Sequence, residues 1–340
     1  MLGPMIPAVG WRLLAPVLAA LLGVAASELA AAEKPTPKRP AAEADRPGKP
    51  LTVKVAAIQC SSRFGDPEAN RAKLTALCEK AAAEGAKILV LPEACITGYL
   101  SQDLRLNWHV KGRPLERAFQ GRSPDAAAEE VPGPSTSHFC QLAKRLGVYV
   151  TVPLVEVVRK AQPSDQGVGP KQAGGPAVYY NTVCLVSPQG RIAAHYRKLT
   201  PWPHPEKSWA TPGDRGVQVF DTEYGRVGLA ICFDIHSILE KYEPHKIWAL
   251  LYPIAWVDES HPADWFWHEL PRRVARCRHY LIGANWSVDG KQPWFGYGFS
   301  EVIAPDGSIV AGSRRLYGSD IVLATIKTAW AEDGAGGGVR

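Results

Sequence analysis

Short apolar runs alternate with amphipathic segments along most of the chain. Residues 52–60 (TVKVAAIQC) are mostly apolar and predict a strand, and residues 87–94 (KILVLPEA) predict a second one. Between them, residues 71–86 place an apolar stripe on a helix that ends near a glycine. A predicted helix at 137–147 and a predicted strand at 148–158 repeat this order. Such nearly continuous apolar strands are typical of a sheet that is covered on both faces.

The second half of the chain adds pairs of strands joined by short turns. Residues 178–198 are predicted to form a strand, a turn at Pro188–Gly190 and a second strand, and residues 217–234 repeat this pattern. Further predicted elements are helices at 238–245 and 265–279, strands at 248–256 and 281–287, and a strand–turn–strand unit at 298–313. Helices that alternate with strands and hairpins predict one α/β domain with a mixed sheet, over residues 51–330.

The first 50 residues differ in character from the rest. Arg12 precedes an apolar run of the length of a signal-peptide core, and small residues follow as far as Ala30–Ala32. This pattern predicts a secretory signal over residues 1–32 that is cleaved, and therefore an exported chain, periplasmic or secreted; an uncleaved membrane anchor is the alternative. Residues 33–50 are rich in Pro, Ala and charge and predict a disordered linker, and residues 331–340 predict a frayed tail.

Composition argues against several classes of function. The formal charge is +6 over 340 residues, without the dense Lys/Arg run and interleaved aromatics of a nucleic-acid-binding protein. The seven cysteines are an odd number and include no C-x-x-C pair, which disfavours a metal or redox motif. His268 and His279 lack the two-histidine helical spacing of a metalloprotease. We therefore expect no metal, no cofactor, no nucleic-acid partner and no membrane contact after signal cleavage.

Three stretches place a reactive side chain just past a predicted strand: Glu93, Lys198 and Cys232. Because strand ends in α/β folds converge on one crevice, these side chains are expected to meet there. A cysteine thiolate can attack an acyl or nitrile carbon while a glutamate of raised pKa accepts the thiol proton. A lysine ammonium can stabilise the oxyanion, and the backbone N–H of Phe233 can be a second donor. Glu206, eight residues after the lysine, can keep that lysine charged and in place.

These stretches, in this order, resemble the nitrilase superfamily of carbon–nitrogen hydrolases. Residues 91–99 (LPEACITGY) resemble the segment around the family's general-base glutamate. Residues 195–209 (HYRKLTPWPHPEKSW) resemble the lysine segment of its aliphatic amidases, and residues 228–235 (GLAICFDI) resemble its nucleophile segment. Residues 298–311 (GFSEVIAPDGSIVA) resemble a late strand–turn–strand pattern of the family. The resemblance covers nearly all of the predicted domain.

The resemblance implies a fold and a mechanism. The expected fold is the family's α-β-β-α sandwich, often paired through helices that flank the nucleophile, so a homodimer or higher homo-oligomer is expected. By the resemblance, Glu93 is the general base, Lys198 the oxyanion cation, Cys232 the nucleophile and Glu206 the fourth member of the set. The implied reaction is attack on a small-molecule amide, loss of ammonia or an amine, and hydrolysis of the thioester to a carboxylic acid.

The resemblance leaves the branch of the superfamily open. The pair Phe233-Asp234 differs from the Trp-Glu pair that is usual in true nitrilases and resembles the amidase branches. Residues 232–235 (CFDI) and 252–256 (YPIAW) resemble secreted biotinidase- and pantetheinase-like enzymes, which implies an N-substituted amide. The lysine segment implies a small primary amide instead. The alternatives are a nitrilase, an acyltransferase that uses the same thioester, and a catalytically silent binding member of the fold.

Several residues near the predicted site allow either a functional or a structural interpretation. Arginines on the predicted helix at 265–279 could bind a substrate carboxylate or could simply be solvated. Asn285 begins a formal glycosylation sequon, but it follows an apolar strand, so we expect it to be buried. Asp234 is expected only to cap the helix after Cys232. Four aromatic residues are candidates both for the substrate pocket and for the core: Tyr99, Trp202, Trp256 and Trp286.

Overall fold

The structure, a computed structural model, describes residues 52–98, 108–114, 121–159, 177–203, 205–256, 264–288 and 298–328. The predicted signal, linker and tail and the pocket candidate Tyr99 lie outside these ranges, so they stay predictions. None of the helices within the described ranges is both long and apolar enough to span a membrane.

The strands of the described residues form two six-stranded sheets. The first has the order β12-β1-β2-β3-β4-β5 and the second the order β11-β10-β9-β8-β7-β6. The strands are β1 (Thr52–Gln59), β2 (Ile88–Val90), β3 (Tyr149–Arg159), β4 (Ala177–Val186), β5 (Ile192–Arg197), β6 (Val219–Thr222), β7 (Gly225–Leu229), β8 (Ala249–Ile254), β9 (Tyr280–Asn285), β10 (Glu301–Ile303), β11 (Ile309–Gly312) and β12 (Asp320–Lys327).

Parallel strands form the middle of each sheet and antiparallel strands its edges. In the first sheet β1, β2 and β3 are parallel, and β4, β5 and β12 are added antiparallel. In the second sheet β7, β8 and β9 are parallel, while β6, β10 and β11 are antiparallel additions. The predicted turns at Pro188–Gly190 and near Tyr224 lie between β4 and β5 and between β6 and β7. The mixed sheet predicted from the sequence is therefore two mixed sheets.

Alternate residues of the first sheet face two different cores. Val55 and Ala57 of β1 pack in the core between the two sheets, together with residues of β7, β8 and β9. Ala56 and Ile58, their neighbours in sequence, pack on the other side against helices. This alternation is the period of two that an extended strand imposes, and it explains why β1 is apolar on both faces.

Helices cover the outer face of each sheet. The helices α1 (Pro67–Ala83) and α2 (Pro134–Leu146) pack on the first sheet, and α3 (Leu270–Cys277) packs on the second. The Asp66 side chain caps α1 by accepting a bond from the Ala69 N–H, and Gly147 ends α2 at φ +65°. The layers are α-β-β-α, which confirms the fold class predicted from the sequence.

Two of the predicted helices have a different hydrogen-bond pattern from an α-helix. The segment predicted at 238–245 is a 3₁₀ helix (Leu239–His245), and it contains Pro244, which has no N–H to donate. The segment predicted at 265–279 begins as a π-turn (Trp265–Glu269) and becomes α-helical only at α3. Pro271, near the start of α3, likewise has no N–H for the α-helical ladder.

The seven cysteines all lie in the described ranges, and none of them forms a disulfide. Five are buried and two are half-buried, and most occupy apolar strand or helix positions where a thiol packs as a small apolar side chain. The domain is thus held by packing and hydrogen bonds and not by disulfides. The buried thiols are those of Cys60, Cys78, Cys95, Cys184 and Cys232.

Candidate active site

The ends of three strands bring the predicted reactive residues together. Glu93 lies three positions after β2, Lys198 directly follows β5, and Cys232 lies three positions after β7. Glu206 opens a short 3₁₀ helix (Glu206–Ser208) in the segment that follows β5. Because β2 and β5 belong to the first sheet and β7 to the second, the site draws on both sheets.

Lys198 lies between two buried carboxylates. Its Nζ donates to Glu93 Oε1 at 2.8 Å and to Glu206 Oε2 at 2.7 Å, and none of the three side chains is more than 1% exposed. Burial alone would lower the pKa of the Lys198 ammonium, but the carboxylates of Glu206 and Glu93 outweigh it and raise that pKa. Lys198 is therefore a fixed positive charge at neutral pH.

Glu93 has one oxygen that is held and one that is open. Its Oε1 accepts bonds from Lys198 Nζ and, at 2.7 Å, from Asn181 Nδ2. Its Oε2 is buried and has no hydrogen-bond partner among the described residues. Burial raises the pKa of Glu93; the Lys198 charge opposes this rise and the Glu206 charge adds to it. A carboxylate with a raised pKa and one open oxygen is suited to accept a proton.

Cys232 lies on a strained turn beside that carboxylate. Its φ is +41°, in the left-handed region that side chains with a Cβ rarely adopt, and Tyr252 Oη donates to its carbonyl oxygen at 2.7 Å. Burial, and then the charge of Glu93, raise the pKa of the Cys232 thiol well above its usual range, against the opposing effects of Lys198 and the Ala255 N–H. The thiol is therefore protonated at neutral pH and needs a base before it can act as a nucleophile.

A comparison with known families accounts for this arrangement. The model of the Carbon-nitrogen hydrolase family matches residues 54–333, which is most of the chain. The chain belongs to the carbon–nitrogen hydrolase family. This confirms the resemblance to the nitrilase superfamily on which the expected fold and chemistry were based, and it makes the chain a hydrolase of carbon–nitrogen bonds other than peptide bonds.

Relatives of this hydrolase include both nitrilases and amidases. The chain is 28% identical to Nitrilase 3 of Arabidopsis thaliana over 300 residues, covering 82% of this chain and 81% of that protein. It is 27% identical to the omega-amidase NIT2 of Homo sapiens over 264 residues, covering 75% and 81%. Among solved structures, an amidase of the nitrilase superfamily from Nesterenkonia AN1 has the same fold, with a TM-score of 0.61 at 19% identity, covering 83% of this chain and 94% of that one.

In this hydrolase, Asp234 connects the nucleophile turn to the lysine segment. Its Oδ2 accepts bonds from Tyr196 Oη at 2.7 Å and from the Ile231 N–H at 3.1 Å. Its Oδ1 accepts a bond from the Thr200 N–H at 2.8 Å, two residues after Lys198. Asp234 does not occupy the predicted cap position: it lies within the 3₁₀ helix Cys232–His236 and reaches back to the N–H of Ile231, the residue that precedes this helix. The other two bonds cross from the second sheet to the first. Asp234 thus holds Cys232 and Lys198 in a fixed relation.

Replacing Asp234 with Asn is expected to flatten the dependence of stability on pH. Burial, opposed by Lys198 and by the bonds to Asp234, raises the pKa of its carboxyl to about 7 in the folded chain. In the unfolded chain that pKa is about 4. The folded state then binds the proton more readily, so this group's contribution to stability is fully present below pH ~4 and is lost as pH rises to ~7. Melting temperatures of the wild type and Asp234→Asn at pH 4 and pH 8 measure this difference.

The exposed Asp221, which pairs with Arg226 on the surface, provides the matched control. Asp221→Asn should keep the wild-type pH dependence, because its carboxylate is solvated. Curves that stay parallel for the wild type and Asp234→Asn would show that the Asp234 carboxyl titrates normally in the folded chain.

The backbone donor and one of the pocket candidates, Trp256, lie near Cys232. The Phe233 N–H lies in the first turn of a 3₁₀ helix (Cys232–His236), where N–H groups have no partner within the helix. Trp256 follows Ala255 and is half-buried, with its ring stacked on that of Trp265 at a centroid distance of 4.4 Å. The His236 ring lies 5.0 Å from the Trp265 ring and 4.9 Å from the Phe233 ring. These four rings (Phe233, His236, Trp256 and Trp265) form an aromatic cluster beside the nucleophile.

The other two described pocket candidates form hydrogen bonds to Glu206 and Glu93, one to a carboxylate and one to a main-chain carbonyl. The Trp202 N–H donates to Glu206 Oε2 at 2.7 Å, and its ring is half-buried. Trp286 is only 1% exposed, and its Nε1–H donates to the Glu93 carbonyl oxygen at 2.5 Å. Trp286 therefore belongs to the core beneath Glu93, and the aromatic cluster around Trp256 is nearer to the surface.

The arginine and asparagine candidates can also be placed. Of the arginines on α3 and its C-terminal end, Arg273 is half-buried, pairs with Glu269 and lies over the Trp265 ring, whereas Arg272, Arg276 and Arg278 are exposed. Asn285 is fully buried, as expected. Its Oδ1 accepts from the Trp256 N–H and its Nδ2 donates to the Gly298 carbonyl oxygen. A side chain bonded in this way is not available as a glycan acceptor.

Three residues that contact the reactive groups were not among the sequence candidates: Asn181, Tyr196 and Tyr252. The signal for Asn181 was a polar residue inside the apolar strand VYYNTVCLV, where a buried amide needs partners. Tyr196 and Tyr252 gave no comparable signal, since tyrosine is common in apolar strands. The partner of Tyr196, Asp234, follows a strand of the opposite sheet, and the partner of Tyr252, Cys232, follows a neighbouring strand of the same sheet. Strand periodicity carries no information about either partner.

Proposed function

We propose that this hydrolase is an amidase that forms a thioester on Cys232. The observation that carries the proposal is the open Oε2 of Glu93, on a carboxylate whose other oxygen is held by Lys198, close to a protonated thiol. A silent binding member of the fold would not require a buried cysteine, base and cation in one place. The buried charges support an enzyme because they are costly to keep without a use.

The proposed reaction has two half-reactions. Glu93 accepts the Cys232 proton as sulfur attacks the amide carbon, and the negative charge that develops on oxygen is stabilised by Lys198 and the Phe233 N–H. The C–N bond then breaks, Glu93 returns the proton to the leaving nitrogen, and ammonia or an amine departs. Water attacks the thioester with Glu93 as base. The carboxylic acid leaves, and the cysteine thiolate recovers its proton from Glu93.

An amide is favoured over a nitrile as the substrate. Phe233-Asp234 follows the nucleophile, and two kinds of relative, the omega-amidases and the Nesterenkonia enzyme, are named as amidases. The aromatic cluster of Phe233, His236, Trp256 and Trp265 begins at the residue after Cys232, and its rings can pack against the acyl or amine portion of the substrate. Nitrile hydrolysis remains the alternative because other relatives are named as nitrilases.

The same proposal includes export and self-association. The apolar run after Arg12 and the small residues up to Ala32 support export with cleavage after residue 32. The helices that flank the nucleophile segment, α3 and the 3₁₀ helix Leu239–His245, support a homodimer through this face. The mass of the mature chain and its sedimentation in solution test these two points.

Product formation on a substrate panel tests the proposed activity. The chain from Glu33 onward is incubated with primary amides, N-substituted amides and nitriles, and both ammonia and carboxylic acid are measured. Acid release from amides, with no release from nitriles, is the expected result. Turnover of nitriles would favour the nitrilase alternative, and acid release that persists without Cys232 would contradict the thioester mechanism.

A further inference from the structure

Asn181 bonds the same two carboxylates that Lys198 bonds. Its Nδ2 donates to Glu93 Oε1 and to Glu206 Oε1, both at 2.7 Å, from a side chain that is 1% exposed. With the two bonds from Lys198, the four side chains form a closed ring of hydrogen bonds. The strand β4 does not need these side-chain bonds in order to form, because its backbone already pairs with β3 and β5.

The chemistry of the amide group fixes how Asn181 is oriented. Only its NH₂ group carries two donors, one for each carboxylate, whereas a flipped side chain would direct its carbonyl oxygen at two acceptors. Glu93 Oε1 therefore accepts two bonds, from Asn181 and Lys198. In the described part of the chain, Oε2 is left as the oxygen without a donor, and a proton taken from Cys232 has to go there.

We propose that Asn181 is a positioning residue for the general base: its N–H bond to Oε1 holds Glu93 with Oε2 directed to the Cys232 thiol, and its other N–H bond ties this carboxylate to Glu206. This inference rests on the amide hydrolysis proposed above. Asn181 acts through Glu93 and is not assigned a contact with the substrate. The Asn181 N–H is the donor that occupies Oε1 of Glu93 and leaves Oε2 as the oxygen that acts as the base.

The pH profile distinguishes this role from a purely structural one. The charged and titratable groups that face Glu93 are Lys198 after β5, Glu206 in its 3₁₀ helix, Cys232 after β7 and Tyr252 in β8. Burial and Glu206 raise the pKa of Glu93, while Lys198 and the Asn181 bond lower it. Loss of the Asn181 bond should therefore raise this pKa further, and the acid limb of kcat/KM should move to higher pH.

Asn181→Ala is the first variant to measure. We expect kcat to fall by a factor of about 10 to 100, the range of a lost hydrogen bond to a charged group, with a smaller change in KM. We expect the acid limb of the kcat/KM profile to move up by about one pH unit. Asn181→Asp keeps the volume but replaces two donors with a third carboxylate, so it should move the limb further in the same direction.

Thr182→Val provides a control from the next residue of the same strand. Thr182 faces the opposite side of the sheet, where its fully buried hydroxyl donates to Glu156 Oε2 at 2.6 Å. This variant also loses a buried hydrogen bond to a carboxylate, but on the side away from Cys232. It should lower the melting temperature without moving the acid limb.

The rate at which iodoacetamide alkylates Cys232, measured against pH, provides a readout that does not require turnover. An Asn181→Ala profile that superimposes on the wild type in both assays would overturn the inference. The inference would also be overturned if Asn181→Ala lost the same fraction of activity at every pH and its melting temperature fell by as much as that of Thr182→Val. A wild-type chain that hydrolyses no amide on the panel would instead count against the proposed function, so the two failures are distinguishable.

Discussion

Replacing Cys232 with alanine is expected to abolish amide turnover while the chain still folds. Without sulfur no thioester can form, and the loss of a nucleophile lowers kcat by a factor of about 10⁴ or more. The fold should tolerate the change because the strained backbone of residue 232 already carries a Cβ and alanine adds no atom. Acid release is measured with equal amounts of folded protein, and far-ultraviolet circular dichroism reports folding.

Cys184→Ala is the matched control for this experiment. Cys184 is also buried, and it packs on the helix side of β4, away from Cys232. Its loss should lower stability by roughly 1–2 kcal/mol and leave kcat unchanged. If Cys232→Ala retained the wild-type rate, or if both variants lost activity equally, the assigned nucleophile would be wrong.

Replacing Lys198 with methionine is expected to reduce both activity and stability. Methionine fills a similar volume but leaves the carboxylates of Glu93 and Glu206 buried without their cation. Breaking a buried ion pair in this way typically lowers the free energy of unfolding by about 3–5 kcal/mol. Loss of the oxyanion charge should lower kcat by a factor of about 10² to 10³.

The stability of Lys198→Met should depend on pH with a definite sign. In the folded variant the paired carboxylates bind a proton more readily than in the unfolded chain, so stability should be highest at low pH and should fall as pH rises. Urea unfolding at pH 5 and pH 8 measures this. The double variant Lys198→Met, Glu206→Gln removes one of the two negative charges and should recover part of the loss at pH 8. Lys207→Met, at an exposed neighbour, should change neither stability nor activity.

The apolar runs predicted that the central strands are covered on both faces, and the resemblance to the nitrilase superfamily supplied the α-β-β-α layers. The continuous runs ending at Cys60 and Leu91 could only be strands covered on both sides, and the structure places them between a helix layer and a second sheet. Glu93, Lys198 and Cys232 could be singled out because each follows such a run. Motif order, which reflects the resemblance to a family, then gave their roles.

What the sequence could not predict depends on contacts between distant elements. The division into two sheets follows from strand pairings that local periodicity does not specify, such as β12 beside β1. The sequence predicted Asp234 only as a helix cap. Its bonds to Tyr196 and Thr200 were not predicted, because these partners come from the other sheet. Helix type at Leu239–His245 depended on one proline within an otherwise helical pattern.

The origin of the reactive groups in two separate sheets has a consequence for heat tolerance. Glu93, Asn181 and Lys198 come from one sheet and Cys232 from the other. In the proposed mechanism, side-chain packing between the sheets therefore sets the distance over which the thiol proton moves. A displacement of about 1 Å can lower a rate by a factor of about 10². Warming that loosens this packing should therefore inactivate the enzyme at a temperature several degrees below the one at which the chain unfolds. Substitutions deep in the core between the two sheets, far from any substrate, should lower the catalytic rate at temperatures at which the chain is still folded. Unfolding of these variants should follow only at higher temperature.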